Sequence, residues 1–130
     1  MPSSTVAEVQ IQLRELSDPT IAEHSLRFFK TGPGQYGEGD QFLGIRMPVL
    51  RRVAKQYRGM SLSDTQWLLQ SPVHEERMLA LLILVLRYEQ GDAATRKDVF
   101  DLYRHNIQFV NNWDLVDGSA HRIVGDFLRN

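Results

Sequence analysis

The stretch Ser71-Pro72-Val73-His74-Glu75-Glu76-Arg77-Met78-Leu79-Ala80-Leu81-Leu82-Ile83-Leu84-Val85-Leu86-Arg87-Tyr88-Glu89-Gln90-Gly91 decides the fold. Ser71-Pro72 supplies a helix start and Gly91 a stop, so one long helix is expected to run to about Gln90. Between Met78 and Leu86 it is apolar on every side, and a helix that is hydrophobic all round belongs in the middle of a core. The run is far short of the roughly 20 apolar residues that a bilayer requires.

Working outward, helical periodicity continues in both directions. Val6, Val9, Leu13 and Leu16 share one helical face, and Asp18-Pro19 gives an N-cap and first-turn proline for a second helix reaching about Lys30. Five glycines between residues 32 and 44 forbid continued helix until Pro48 opens a third. There Val49, Leu50, Val53, Ala54 and Tyr57 form an apolar face, Arg51, Lys55 and Arg58 form a stripe opposite, and Gly59 ends the element. Ser63 and Gln66 have capping-box spacing for a short helix containing Trp67, Leu68 and Leu69. Beyond Gly91, Asp92 caps a helix with Val99, Leu102 and Tyr103, and Asn112 caps a last one with Val116, Ala120, Ile123 and Phe127. No strand pattern intervenes. About seven helices with mostly short turns predict an all-α domain of stacked helical hairpins, one unit over residues 1–130.

Composition narrows the function classes. The 130 residues contain no cysteine, which excludes a disulfide framework, a thiolate metal site and a cysteine nucleophile. The N-terminus has no charged and apolar leader, so no secretion signal is read there, and a soluble, cytoplasmic protein with no membrane partner is expected. The net charge of −1 conceals segregation: residues 27–60 carry net +5, whereas residues 1–26 and 61–92 each carry −3. The basic segment holds Arg27, Lys30, Arg46, Arg51, Arg52, Lys55 and Arg58. Such a stripe commonly does no more than keep a surface solvated, and equally has the spacing to straddle phosphates along a duplex.

Two literal motif matches fail on context. Gly32-Pro33-Gly34-Gln35-Tyr36-Gly37 spells G-x-G-x-x-G, but a helix precedes it and more loop follows, whereas a dinucleotide site needs strand before and helix after. His74-Glu75 begins H-E-x-x-H, yet the second histidine is replaced by Met78, so no zinc site is read. His24, His74, His105 and His121 show no joint metal spacing and read as surface or hydrogen-bonded histidines.

One further motif stands near the C-terminus. Asn111-Asn112-Trp113-Asp114-Leu115-Val116-Asp117 places an indole and a carboxylate four residues apart at the start of a helix, on one face. Taken alone, Trp113 reads as a core residue and Asp117 as a first-turn carboxylate favoured by the helix dipole.

Together with the stretch from Phe28 to Leu50 and the Ser71 to Arg77 helix start, this motif resembles the DNA alkylation repair family, the AlkD-like DNA glycosylases, over about residues 5–130. The resemblance implies HEAT-like helical hairpins stacked as an α-solenoid, with a concave basic surface that holds duplex DNA. It implies excision of positively charged N3- and N7-alkylated purines with no metal or organic cofactor. It further implies Asp117 as the catalytic carboxylate and Trp113 as the aromatic wall beside the lesion nucleotide. Phosphate contacts are expected from Lys30, Arg46, Arg51, Arg52, Lys55 and Arg58.

The chemistry suits those residues. An alkylated purine already carries positive charge, so the base leaves without a strong general acid while charge builds on the deoxyribose as an oxocarbenium ion. A fixed carboxylate stabilises that cation and orients or deprotonates water. An indole face beside the cationic sugar adds attraction of about 0.5 to 2 kcal/mol. The alternative is a helical-repeat module that binds DNA or protein without catalysis. Full-length family members continue with further hairpins, so the chain is expected to be an N-terminal portion. Val124 and Leu128 on its last helix would then lack their covering hairpin and invite self-association.

Overall fold

The computed structural model describes residues 4–28 and 41–106, and the chain is all-helical there. Six helices follow one another: α1 Ser4–Glu15, α2 Pro19–Phe28, α3 Met47–Gln56, α4 Leu62–Leu69, α5 His74–Gln90 and α6 Ala93–His105. Among the described residues extended pairing is confined to one isolated parallel bridge, Gln41 to Val73. The expected seventh helix, with Val116, Val124 and Leu128, lies outside the described residues.

The apolar run is the centre of the molecule. Helix α5 packs against α3, α4 and α6, and Leu79, Ala80, Ile83 and Leu84 are wholly buried. Two positions soften the expectation that every side is covered: Leu82 and Leu86 are only half-buried, on the side that meets α3. Leu50, Val53 and Ala54 of α3, Leu68 and Leu69 of α4, and Val99 and Tyr103 of α6 complete the core. Helix α1 adds Val6, Val9 and Leu13 against α4. Leu16 does not continue that stripe, because α1 ends at Glu15 and the chain turns out, leaving Leu16 41% exposed.

Local chemistry explains the helix ends. Asp18 Oδ1 accepts the Thr20 N–H at 2.9 Å with Pro19 at the first helical position, and Asp92 Oδ1 accepts the Thr95 N–H at 2.8 Å. Helix α4 starts two residues earlier than its capping-box spacing suggested. Ser61 is the N-cap, its Oγ accepting the Asp64 N–H at 3.1 Å, while Asp64 supplies the first-turn carboxylate. Ser63 falls inside the first turn instead. Helix α5 likewise begins at His74, with Val73 as N-cap, because Ser71 Oγ accepts the Val73 N–H at 3.0 Å and holds the preceding residues in a turn.

Candidate nucleic-acid interface

Helix α3 owes its two faces to the interval between its apolar residues. Leu50, Val53 and Ala54 point into the core, which leaves Arg51, Arg52 and Lys55 exposed on the outer side. Arg46 is exposed at the N-cap. Arg58 is exposed too, but the helix ends at Gln56 and Tyr57 is its C-cap, so Arg58 stands in the turn beyond the helix rather than on its stripe. None of these five cations has an ion-pair partner among the described residues. Arg51 and Lys55 also flank a groove of about 160 Å³ whose floor is Ala54, Leu82, Val85 and Leu86. That groove is why Leu82 and Leu86 keep partial exposure.

The approach to this helix is held by a buried carboxylate. Glu75, 3% exposed, accepts the Leu43 N–H on Oε1 at 2.9 Å, and on Oε2 the Gly44 and Ile45 N–H groups at 2.9 and 3.3 Å. Three donors satisfy a group that would otherwise be costly to bury. Gly44 adopts φ +83°, and a side chain there would place its Cβ 2.0 Å from the Asp18 carbonyl oxygen. Only glycine accommodates both the backbone conformation and that approach. The Asp18 N–H donates to the Leu43 carbonyl at 2.9 Å, so the start of α2 is tied to the same segment. On its other side Gln41 donates to the Pro72 carbonyl at 3.1 Å and accepts from the His74 N–H at 2.8 Å. Of the two expectations for His74, surface or hydrogen-bonded, the surface one does not hold: the residue is buried and its ring lies 4.7 Å from the Phe42 ring, tilted by 31°.

A second polar knot closes the far end. Asn106, 3% exposed, donates to the Leu102 carbonyl at 2.8 Å and accepts the Gln70 Nε2 donor at 2.8 Å, joining the ends of α4 and α6. The chain carrying Trp113 and Asp117 continues from this anchored residue. Trp113, Asp117 and Lys30 lie outside the described residues, as does His121.

Among the described residues, the pKa shifts have local structural causes. Lys97 and Asp101 form a 2.8 Å pair one turn apart on α6 that raises the lysine pKa and lowers the carboxyl. The Thr95 backbone N–H lowers the Asp92 carboxyl, and burial raises the Tyr57 phenol, whose hydroxyl donates to Gln12 Oε1 at 2.9 Å. His24 and His105 are exposed, and His105 Nδ1 lies 2.7 Å from the Asp101 carbonyl. Among the described residues no three His, Asp or Glu side chains converge as a metal ion would need. No helix there is long and apolar enough to cross a membrane.

Sequence reasoning passed over two features. Glu75 belonged to a quoted motif, but nothing in its spacing announced that three amides some 30 positions upstream would converge on it. Trp67 is 45% exposed, and here a signal was present. At 3.6 residues per turn it lies roughly 150° from the centre of the arc formed by Thr65, Leu68 and Leu69.

Neither the curated proteins nor the solved structures contain a match to the chain. A family model described as DNA alkylation repair enzyme matches residues 9–130, which takes in the basic helix, the Glu75 anchor and the Trp113 to Asp117 motif. The chain belongs to the DNA alkylation repair enzyme family.

Proposed function

We propose that this protein is a DNA glycosylase that removes positively charged N3- and N7-alkylated purines from duplex DNA. The observation that carries this reading is the family match running through Asn111 to Asp117, on a chain whose α3 turns unpaired cations outward. In this reading the helices form HEAT-like hairpins, and Arg46, Arg51, Arg52, Lys55, Arg58 and Lys30 contact phosphates. Asp117 stabilises the oxocarbenium ion and orients the attacking water, and Trp113 packs on the lesion nucleotide. A carboxylate aimed at developing positive charge contributes more in the transition state than in the ground state, which is the condition for catalysis.

The test is release of 7-methylguanine from methylated duplex by the wild-type chain and by Asp117→Asn. The amide keeps the shape and loses the charge. Excision is expected from the wild type and a loss of two or more orders of magnitude in the variant, with duplex affinity and helix content preserved. Equal excision by the two proteins would remove Asp117 from the reaction. Duplex binding with no excision by either would leave the non-catalytic DNA-binding reading.

A further inference from the structure

We infer that a recess beside Trp67, away from α3, binds an unstacked nucleobase that carries an exocyclic amino group. The recess measures about 310 Å³ and is lined by Gln10, Trp67, Gln70, Ser71 and Pro72. That volume stands at the lower bound for small-ligand sites, the size range of one heterocycle rather than of a large cofactor. The inference does not rest on base excision by Asp117.

Three features select the ligand. The first is the indole. Trp67 projects outward with 45% exposure beside the recess, and a planar aromatic surface there is a stacking platform that any base can use.

The second is the fixed orientation of both amides. Gln10 Nε2 donates to Glu76 Oε1 at 3.0 Å, so the amide nitrogen is taken up by that carboxyl and the carbonyl oxygen is not. The Leu102 carbonyl can only accept, so Asn106 turns Nδ2 to it, which presents Oδ1 to Gln70 and requires Gln70 Nε2 there. Both carbonyl oxygens are left without partners among the described residues. Two acceptors beside an aromatic face suit the amino groups of adenine, cytosine or guanine better than the carbonyl-rich edge of thymine.

The third feature is charge. No lysine or arginine lines the recess; the buried Arg77 spends a donor on the Ser71 carbonyl at 2.9 Å, and the Glu76 carboxyl bonds Gln10 at 3.0 Å. A phosphate is therefore disfavoured, and a base recognised by its face and edge is favoured.

The site is also well placed in the chain. Pro72 accepts the Gln41 N–H and Gln70 grips Asn106, so its walls are braced by the polar contacts that organise the domain. Trp67 is not one of the buried core residues, so its replacement leaves the core cluster in place.

The chain has two tryptophans, so Trp113→Phe leaves Trp67 as the sole indole reporter. Fluorescence of that variant is titrated with adenosine, thymidine and ribose 5-phosphate, then with free adenine and single-stranded dA and dT hexamers. Saturable quenching by adenosine is expected, several-fold tighter than by thymidine and absent with ribose 5-phosphate. A hexamer that binds more tightly than free adenine identifies the occupant as a base within a strand, and the reverse order identifies a free base. Ligand-detected NMR on Trp67→Leu, with its fold verified by circular dichroism, should show adenosine binding weakened roughly tenfold or more. Equal responses to adenosine and thymidine, quenching by ribose 5-phosphate, no saturable quenching, or unchanged adenosine binding in Trp67→Leu would each overturn the inference. Self-association abolished by Trp67→Leu, without nucleoside binding, would make the recess a protein contact instead.

Discussion

Glu75 Oε2 accepts the backbone N–H of Gly44 at 2.9 Å, and through that bond the first turn of the central helix holds the segment that leads into the basic helix. Replacing Glu75 with glutamine keeps the shape but turns one acceptor into a donor. Because Oε2 serves both Gly44 and Ile45, the amide nitrogen would face the Leu43 N–H and leave it unsatisfied. We expect a loss of about 1 to 3 kcal/mol in urea unfolding. Unchanged stability would mean that water replaces the lost acceptor at no cost.

Gly44→Ala tests the other side of the same contact. The residue sits at φ +83°, and the new Cβ would lie 2.0 Å from the Asp18 carbonyl oxygen and 2.7 Å from the Ala22 nitrogen. These are backbone atoms at the start of α2, which cannot swing aside as a flexible side chain would. Destabilisation of at least about 2 kcal/mol is expected from the conformational penalty and the clash together. Thermal unfolding within a degree of wild type would show that α2 shifts freely.

The outward cations of α3 and its following turn make a prediction about ionic strength. If Arg51, Lys55 and Arg58 contact phosphates, their combined alanine variant binds duplex less tightly across sequences. Its plot of log affinity against log salt should be shallower by about 0.9 per phosphate contact removed. All three residues are exposed outside the core, so helix content should not change. An unaltered slope would return them to the role of a solvated face.

Asp92 predicts a dependence on acid. Its carboxyl pKa is lowered in the folded chain, mainly by the Thr95 backbone N–H, so the folded state takes up that proton less readily than the unfolded chain does. The stabilisation is therefore present above the ordinary aspartate value of about 3.9 and is lost as pH falls through the lower folded value. Asp92→Ala should lower the melting temperature at pH 7, and the gap from wild type should close as the pH drops below about 4. A gap that persists undiminished at pH 2 would show that the cap acts without its charge.

What was legible in the sequence was whatever depends on short-range periodicity and capping. The stripe of Val6, Val9 and Leu13, the proline-led start of α2, the Asp92 cap and the outward turn of Arg51 and Lys55 follow from 3.6 residues per turn and from which side chains satisfy helix ends. The family could be recognised for a related reason, since its motifs are local strings. Capping-box spacing pointed to Ser63, whereas Ser61 caps α4 and Thr65, Leu68 and Leu69 are the residues it buries. Arg58 left its stripe because the helix ends at Gln56, with Tyr57 as its C-cap, before reaching it.

Only the tertiary structure decided which distant groups meet. Glu75 reaches Leu43, Gly44 and Ile45, Gln10 reaches Glu76, and Gln70 reaches Asn106, each across tens of residues. Helical periodicity says which way a side chain faces, but not what another helix will put in front of it. The partners of a buried polar group are set by how the helices stack, and it is there that the Glu75 anchor and the Trp67 recess arise.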